Sequence, residues 1–519
     1  MTESAPEASV ESKADSPTVP AAPPVSDRNA RKPTDLLIVR IFLLTLGVLL
    51  AGYMYLGRGF AHVGIGPVYV GELVLALGLV ATAVAAVRSR LQISRSWLAV
   101  LLIVFMVLGL IRTVPYISTY HIDALRDATL WGYGVFALMI FALLDRDWVL
   151  RLFRLYGYVA IAFLFWGPVA YYLFTHSTVT VPGTFIFNSS LIPNAPGTDI
   201  PILFFKSQDM AVQTAGAIAF LIVGTPPISR LRDFLWRFVA AVPASWMVYI
   251  TGTVTRGGLV AVAACVGVLG VLSARTRNWI PMIAGAIFVA AMVAANVTVS
   301  VSLPAIGSGP TPTATPVTVP SGQTPSLTPS PTSTPSPTPV PSWAATRDAT
   351  TTQWWDNILS IFTNSGNSQL EGTKQFRLAW YEAIIHYTIN GKYFWDGKVF
   401  GVNLAKDDQV QGPPDGSLRE VPNSHLAVLA RMGVPGFLLW ILLQLGFALF
   451  LLRALLAHRR GGDKELAAVA AWVLAFWTAM MVNTTFDPYL EGPQGGIWFW
   501  VLFGLGLVLI RLAPRRKAE

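Results

Sequence analysis

The stretch LLIVRIFLLTLGVLLAGYMYLG, residues 36–57, decides the fold class. Its only charge is Arg40, and a helix of about 20 apolar residues, rising ~1.5 Å each, crosses the ~30 Å hydrocarbon core of a bilayer. Runs of the same kind recur along the chain. They place spans near 36–57, 68–87, 97–113, 128–145, 155–175, 211–226, 235–253, 257–273, 279–300, 434–456, 466–484 and 495–512. The sequence therefore predicts an all-α integral membrane protein of about twelve transmembrane helices. Composition agrees, since 53% of the 519 residues are hydrophobic and 13% charged. Soluble domains carry roughly 25% charged residues, so a water-soluble globular enzyme is excluded. The single Cys265, inside an apolar run, excludes a disulfide framework, a cysteine-based zinc site and an iron–sulfur cluster.

The formal charge of +9 does not point to nucleic acid, because the basic residues punctuate the apolar runs instead of gathering on one soluble face. Lys and Arg accumulate on the cytoplasmic side of membrane proteins. With the N-terminal tail inside, the inner connections and tails hold 22 of them against five in the short outer connections. Both termini are thus expected in the cytoplasm of a multi-pass plasma-membrane protein. The chain divides into a disordered tail (1–35), a membrane domain of spans 1–9 (36–300), an external linker (301–342), an external helical loop region (343–433), spans 10–12 (434–512) and a short tail (513–519). Residues 308–342 contain 11 Pro, 9 Thr and 7 Ser, a composition with almost nothing to bury that reads as a solvated spacer. Beyond it, Phe376, Trp380, Ile384 and Tyr387 recur at helical spacing, Gly391, Gly397 and Gly401 break the helix into a loop, and Asn423 and Ser424 offer caps for the next one.

Ionisable residues at the outer ends of spans are where a membrane protein places chemistry, because polar groups against lipid are costly. Arg256 lies in the turn TGTVTRGGL, Arg377 in QFRLAWYEAI, and His425 in VPNSHLAVLARMGVPGFLLW. Two guanidinium forks suit the negative charge that grows on a departing diphosphate. A histidine or carboxylate suits the orientation and deprotonation of an incoming hydroxyl. The external carboxylates are Glu382, Asp396, Asp407, Asp408, Glu420 and Asp487. Asp145-Arg146-Asp147 matches the Asp-x-Asp metal pattern of soluble sugar transferases, but it falls at a cytoplasmic helix end and reads as a charged turn.

The TRGGL turn, FRLAWYEAI followed by KVFGVN, and NSHLAVLARMGVPG resemble the bacterial O-antigen ligase and O-antigen polymerase superfamily of membrane glycan transferases. GPVYVGELVLALG and DALRDATLWGYG are also similar to parts of its members. The resemblance implies a lipid-sugar-dependent (C-type) glycosyltransferase-like fold with a large external loop between spans 9 and 10. It implies residence in the bacterial inner membrane and a role in cell-surface polysaccharide biosynthesis, lipopolysaccharide included. The implied reaction moves a glycan from a polyprenyl-diphosphate donor, undecaprenyl diphosphate as the type, to a hydroxyl on a glycan, a lipid core or a protein. The family's diphosphate-binding arginines correspond to Arg256 and Arg377. Its His-Asn pair falls on Pro422 and Asn423, so proline occupies the histidine slot and His425 stands three residues on. The expected catalytic residues are His425 and Arg377, and the expected substrate-binding residues Arg256, Arg377, Asn423, Asp487 and Glu382, with no metal and no cofactor. A transporter or flippase, and a protein O-oligosaccharyltransferase, are the competing readings.

Overall fold

The computed structural model describes residues 32–65, 68–88, 90–91, 96–175, 184–186, 194–196, 198, 200, 202–273, 276–295, 351–362, 368–404 and 421–514. The N-terminal tail through residue 31, the 308–342 tract, Asp407, Asp408 and Glu420 lie outside them. The helices run in the order α1 (Leu37–Leu56), α2 (Val70–Val87), α3 (Trp97–Thr113), α4 (Ile117–Tyr120), α5 (Ile122–Gly132), α6 (Gly134–Leu143), α7 (Arg146–Thr175), α8 (Ser207–Ala219), α9 (Leu231–Val254), α10 (Arg256–Leu272), α11 (Trp279–Ala294), α12 (Thr351–Phe362), α13 (Ser368–Thr388), α14 (Ser424–Arg460), α15 (Lys464–Thr484) and α16 (Pro493–Leu512). Two antiparallel pairs of very short strands, β1 (Gly64–Ile65) with β2 (Val68–Tyr69) and β3 (Thr184–Ile186) with β4 (Phe204–Lys206), close the connections at one end of the bundle.

Among the described residues, nine helical segments are long and apolar enough to cross a membrane: Leu37–Leu56, Val70–Val87, Trp97–Tyr120, Arg146–Ala170, Leu231–Val254, Thr276–Ala294, Ser424–Arg460, Lys464–Thr484 and Pro493–Leu512. The expected spans 128–145, 211–226 and 257–273 carry shorter helices. At 128–145 the chain changes helix at Tyr133, between Gly132 and Gly134, residues that weaken a helix interior by roughly 1 kcal/mol each. At 211–226 the 13-residue α8 runs into the single π-helical turn Phe220–Gly224. Helix α10 stops at Leu272 after 17 residues.

Burial separates the helices into two kinds. Helices α1, α2, α3 and α11 expose Leu37, Val48, Leu79, Ile111, Ile283 and Ile287 among other large apolar side chains, the surface a bilayer covers. Every residue of α8 is buried, including Gln208, Asp209, Gln213 and Thr214. Helices α7, α9, α10 and α15 enclose it. Because its neighbours shield it from lipid, α8 tolerates a polar content that a lipid-facing helix would not.

The end of the bundle carrying the chain's first described residues is fastened by charge. Lys32 Nζ lies 2.6 Å from Asp147 Oδ2, Arg146 Nη2 lies 2.9 Å from Asp463 Oδ2, and Thr34 donates to Asp145. Asp145 Oδ1 also accepts from the backbone N–H groups of Asp147 at 3.0 Å and Trp148 at 3.1 Å. The Asp-x-Asp pattern is therefore a helix cap.

Candidate functional site

At the opposite end, the turn between α9 and α10 is built by its sequence. Thr255 caps α10, its hydroxyl accepting from Gly258 N at 3.3 Å, which fixes Arg256 as the first helical residue. Gly257 leaves room for Phe486, whose side chain a Cβ at Gly257 would meet at 2.7 Å. Helix α12 lies over the same turn. Asn357 donates through Nδ2 to Gly252 O at 3.0 Å and Thr253 O at 2.7 Å, taking up carbonyls at the end of α9. Arg256 Nη1 donates to Ser360 Oγ on α12 at 3.3 Å.

Phe486, in the connection between α15 and α16, is the hub of the cluster. Arg377 of α13 donates from Nη2 to Phe486 O at 3.1 Å, and its guanidinium carbon lies 5.8 Å from the centre of the Phe486 ring. One turn on, the Tyr381 hydroxyl donates to Thr485 O at 3.3 Å and accepts from Asn423 Nδ2 at 3.4 Å. Helix α13 is seated by Trp380 and Ile384, both fully buried against Leu404, Val421 and Leu429. Arg377 thus lies against Phe486, and Gly257, the residue after Arg256 and 120 positions earlier in the chain, packs on the same side chain. The arginine bonds to Ser360 and to the Phe486 carbonyl go to neutral oxygens, which a phosphate oxygen can replace with a stronger, charge-assisted bond.

Asn423 caps α14, its Oδ1 accepting from the N–H groups of His425 at 2.9 Å and Leu426 at 3.1 Å. Helix α14 kinks at Gly433, whose φ of 64° and ψ of −172° suit glycine almost alone. Gly397, with φ of 65°, packs directly against it: a Cβ at Gly397 would stand 2.7 Å from Gly433 N. The loop after α13 is locked there by Lys398 N to Ala430 O at 2.7 Å and Val434 N to Phe394 O at 2.8 Å. Arg431 and Asp127, both almost wholly buried, pair at 2.9 Å behind the same loop.

The expected site residues separate on this geometry. Arg256, Arg377 and Asn423 converge on the surroundings of Phe486. His425 reaches the same end of the bundle, but its ring turns into the protein. Trp440 Nε1 donates to His425 Nδ1 at 3.1 Å, and an indole N–H can only donate. The ring proton therefore sits on Nε2, 3.1 Å from Met481 O and 2.8 Å from Thr484 Oγ1. With both nitrogens engaged, the imidazole braces α14 against α15. Asp487 lies beside Phe486 and is only 2% exposed; its Oδ2 is 3.2 Å from Arg58 and its Oδ1 is held by Lys206. Arg58 also reaches Asp209 of α8 at 2.8 Å. Two cations and two carboxylates so form one internally balanced group beneath the hub. Glu382 is exposed on α13, five residues from Arg377 and therefore about 140° round the helix from it.

Phe486, Ser360 and the Arg58–Asp209 link were not visible in the sequence. The one signal for the last was the presence of Arg58 and Lys206 among the few basic residues of the outer connections.

Residues 239–441 match the family model described as O-antigen ligase. The matched stretch contains Arg256, Arg377, Asn423 and His425, and stops short of Phe486 and Asp487. It supports placing the chain in the O-antigen ligase and polymerase superfamily. No curated protein matches the chain.

Proposed function

We propose that this multi-pass membrane protein of the O-antigen ligase type transfers a glycan from a polyprenyl-diphosphate donor to an acceptor hydroxyl on the external face of the bacterial inner membrane. The observation that carries the reading is that Arg377 and the Arg256–Gly257 turn both lie against Phe486, Arg377 by its guanidinium and the turn by Gly257. In the proposed step the acceptor hydroxyl oxygen attacks the anomeric carbon, the bond from that carbon to the diphosphate oxygen breaks with inversion of configuration, and the hydroxyl proton passes to an oxygen of the departing diphosphate. Charge accumulates on the departing diphosphate, where two guanidinium groups stabilise it more than they stabilise the bound donor. Arg377 and Arg256 bind and stabilise the diphosphate. Asn423 and Tyr381 line the face from which the acceptor approaches. Asp487 acts as a positioning residue: Arg58 and Lys206 offset its charge, so it does not repel the donor and it holds the Phe486 carbonyl in place. His425 is assigned a bracing role.

The test is reconstitution in lipid with a defined polyprenyl-diphosphate oligosaccharide and candidate acceptors, with products identified by mass. Arg377→Ala and Arg256→Ala should each lower kcat/KM by about 100-fold or more, the loss typical of removing one oxyanion-stabilising donor. Lengthened lipid-linked chains, lipid-core conjugates or modified peptide would identify the acceptor. Parental rates in both alanine variants, or flux of the donor across the bilayer without turnover, would overturn the reading.

A further inference from the structure

Next to the Arg58–Asp209 link, two polar atoms are buried without a hydrogen-bond partner among the described residues. They are the Tyr53 hydroxyl of α1 and Gln213 Oε1 of α8, on residues 3% and 5% exposed. Each would cost about 1–3 kcal/mol if left unsatisfied. Both residues line one small cavity of about 10 Å³, together with Met54 of α1, Asp209 and Met210 of α8 and Gln494 of α16. All six are buried.

An internal water needs roughly 10–15 Å³ and two to four polar partners, so the cavity has room for one such molecule and nothing larger. The lining supplies complementary partners. A tyrosine hydroxyl can donate, and an amide oxygen only accepts. Asp209 spends its carboxylate on Arg58, at 2.8 Å through Oδ2 and 3.5 Å through Oδ1. A carboxylate has about four lone-pair sites, so it can still accept from a further donor.

We infer that this cavity is a binding site for one water molecule, which accepts from the Tyr53 hydroxyl and donates to Gln213 Oε1 and the Asp209 carboxylate. A sodium ion would meet the same oxygens. Charge decides between them: Arg58 and Lys206 already offset Asp209 and Asp487, so a third cation would be buried without a counter-charge. A neutral ligand with two donors and two acceptors satisfies the site at no such cost. The water ties α1 to α8 at the inner end of a bonded chain, since Asp209 holds Arg58 and Arg58 reaches Asp487, the neighbour of Phe486. It also accounts for a glutamine in the wholly buried α8, two helical turns from any open surface the site offers a substrate.

The experiment is X-ray radiolytic footprinting of the full chain in nanodiscs, after equilibration in heavy-oxygen water so that the added oxygen is traced to solvent. Hydroxyl radicals formed from a bound water oxidise the side chains beside it. Met54 and Met210 should therefore be oxidised at least about fivefold faster than Met139 and Met480, which are similarly buried and do not line the cavity. Tyr53→Phe with Gln213→Leu should bring Met54 and Met210 down to the rate of those two controls. Tyr53→Phe alone, which keeps the ring packing, should give an intermediate rate. Wild-type rates at Met54 and Met210 no higher than at the controls would overturn the inference, as would undiminished rates in Tyr53→Phe at parental Tm. A Tm raised by sodium over choline at equal ionic strength, and lost in Gln213→Leu, would make the occupant a cation and overturn it too.

Discussion

His425 shows how a residue's chemistry depends on neighbours the sequence does not reveal. Its motif placed it beside the arginines, and its partners, Trp440, Met481 and Thr484, turn its ring inward. Replacing it with alanine strands the indole N–H of Trp440, which is 1% exposed. Leaving such a donor unsatisfied costs about 1–3 kcal/mol. His425→Ala should therefore lower Tm by several degrees, while transfer per folded molecule stays within about threefold of parental at a permissive temperature. In a double-mutant cycle, Trp440→Phe should relieve part of that cost. A 100-fold loss of transfer at unchanged Tm would restore the imidazole as a reacting group. Arg256 and Arg377 were legible because a guanidinium at a membrane boundary is conspicuous in composition. Phe486 was not, since one phenylalanine among 28 carries no signal until the fold brings it to Arg377 and Gly257.

At the scale of elements, all twelve expected span positions carry helix, because hydropathy reads length and polarity directly. The sequence also located the cap at Asn423, since a cap depends on local backbone chemistry. It overestimated the short helices, because burial by neighbouring helices, which decides how apolar a helix must be, is not a local property. The lock between Gly433 and Gly397 gives the test at this scale. A Cβ at Gly433 would stand 2.6 Å from Phe394 O, in a backbone conformation that costs other residues roughly 1–3 kcal/mol. Gly433→Ala should lower Tm, speed protease cleavage in the 391–404 loop, and reduce transfer by displacing α13 with Arg377. Parental values for all three would show that the kink is incidental.

For the molecule as a whole, charge pairs fasten both ends of the bundle, and they differ in what pH does to them. Burial resists ionisation of Asp463, yet the bonds from Leu466 N–H and Arg146 prevail and hold its carboxyl below the ordinary carboxylate range. A carboxyl whose pKa is depressed by folding contributes stability above its unfolded value and loses it as pH falls through the folded one. The contribution of Asp463, about 1 kcal/mol for a helix cap, should be intact at neutral pH and fade under acidic conditions below the usual carboxylate pKa. The Tm gap between wild type and Asp463→Asn should close correspondingly on acidification. A gap constant down to pH 3 would mean the cap acts without its charge.

The enclosure of Ser207–Ala219 has a consequence for biogenesis. Its wall includes Lys464–Thr484, which the ribosome delivers more than two hundred residues later. A segment bearing an aspartate and two glutamines gains little by partitioning alone into hydrocarbon. Its insertion is thus a late, cooperative event, and the nascent protein must shelter this helix until its C-terminal companions arrive.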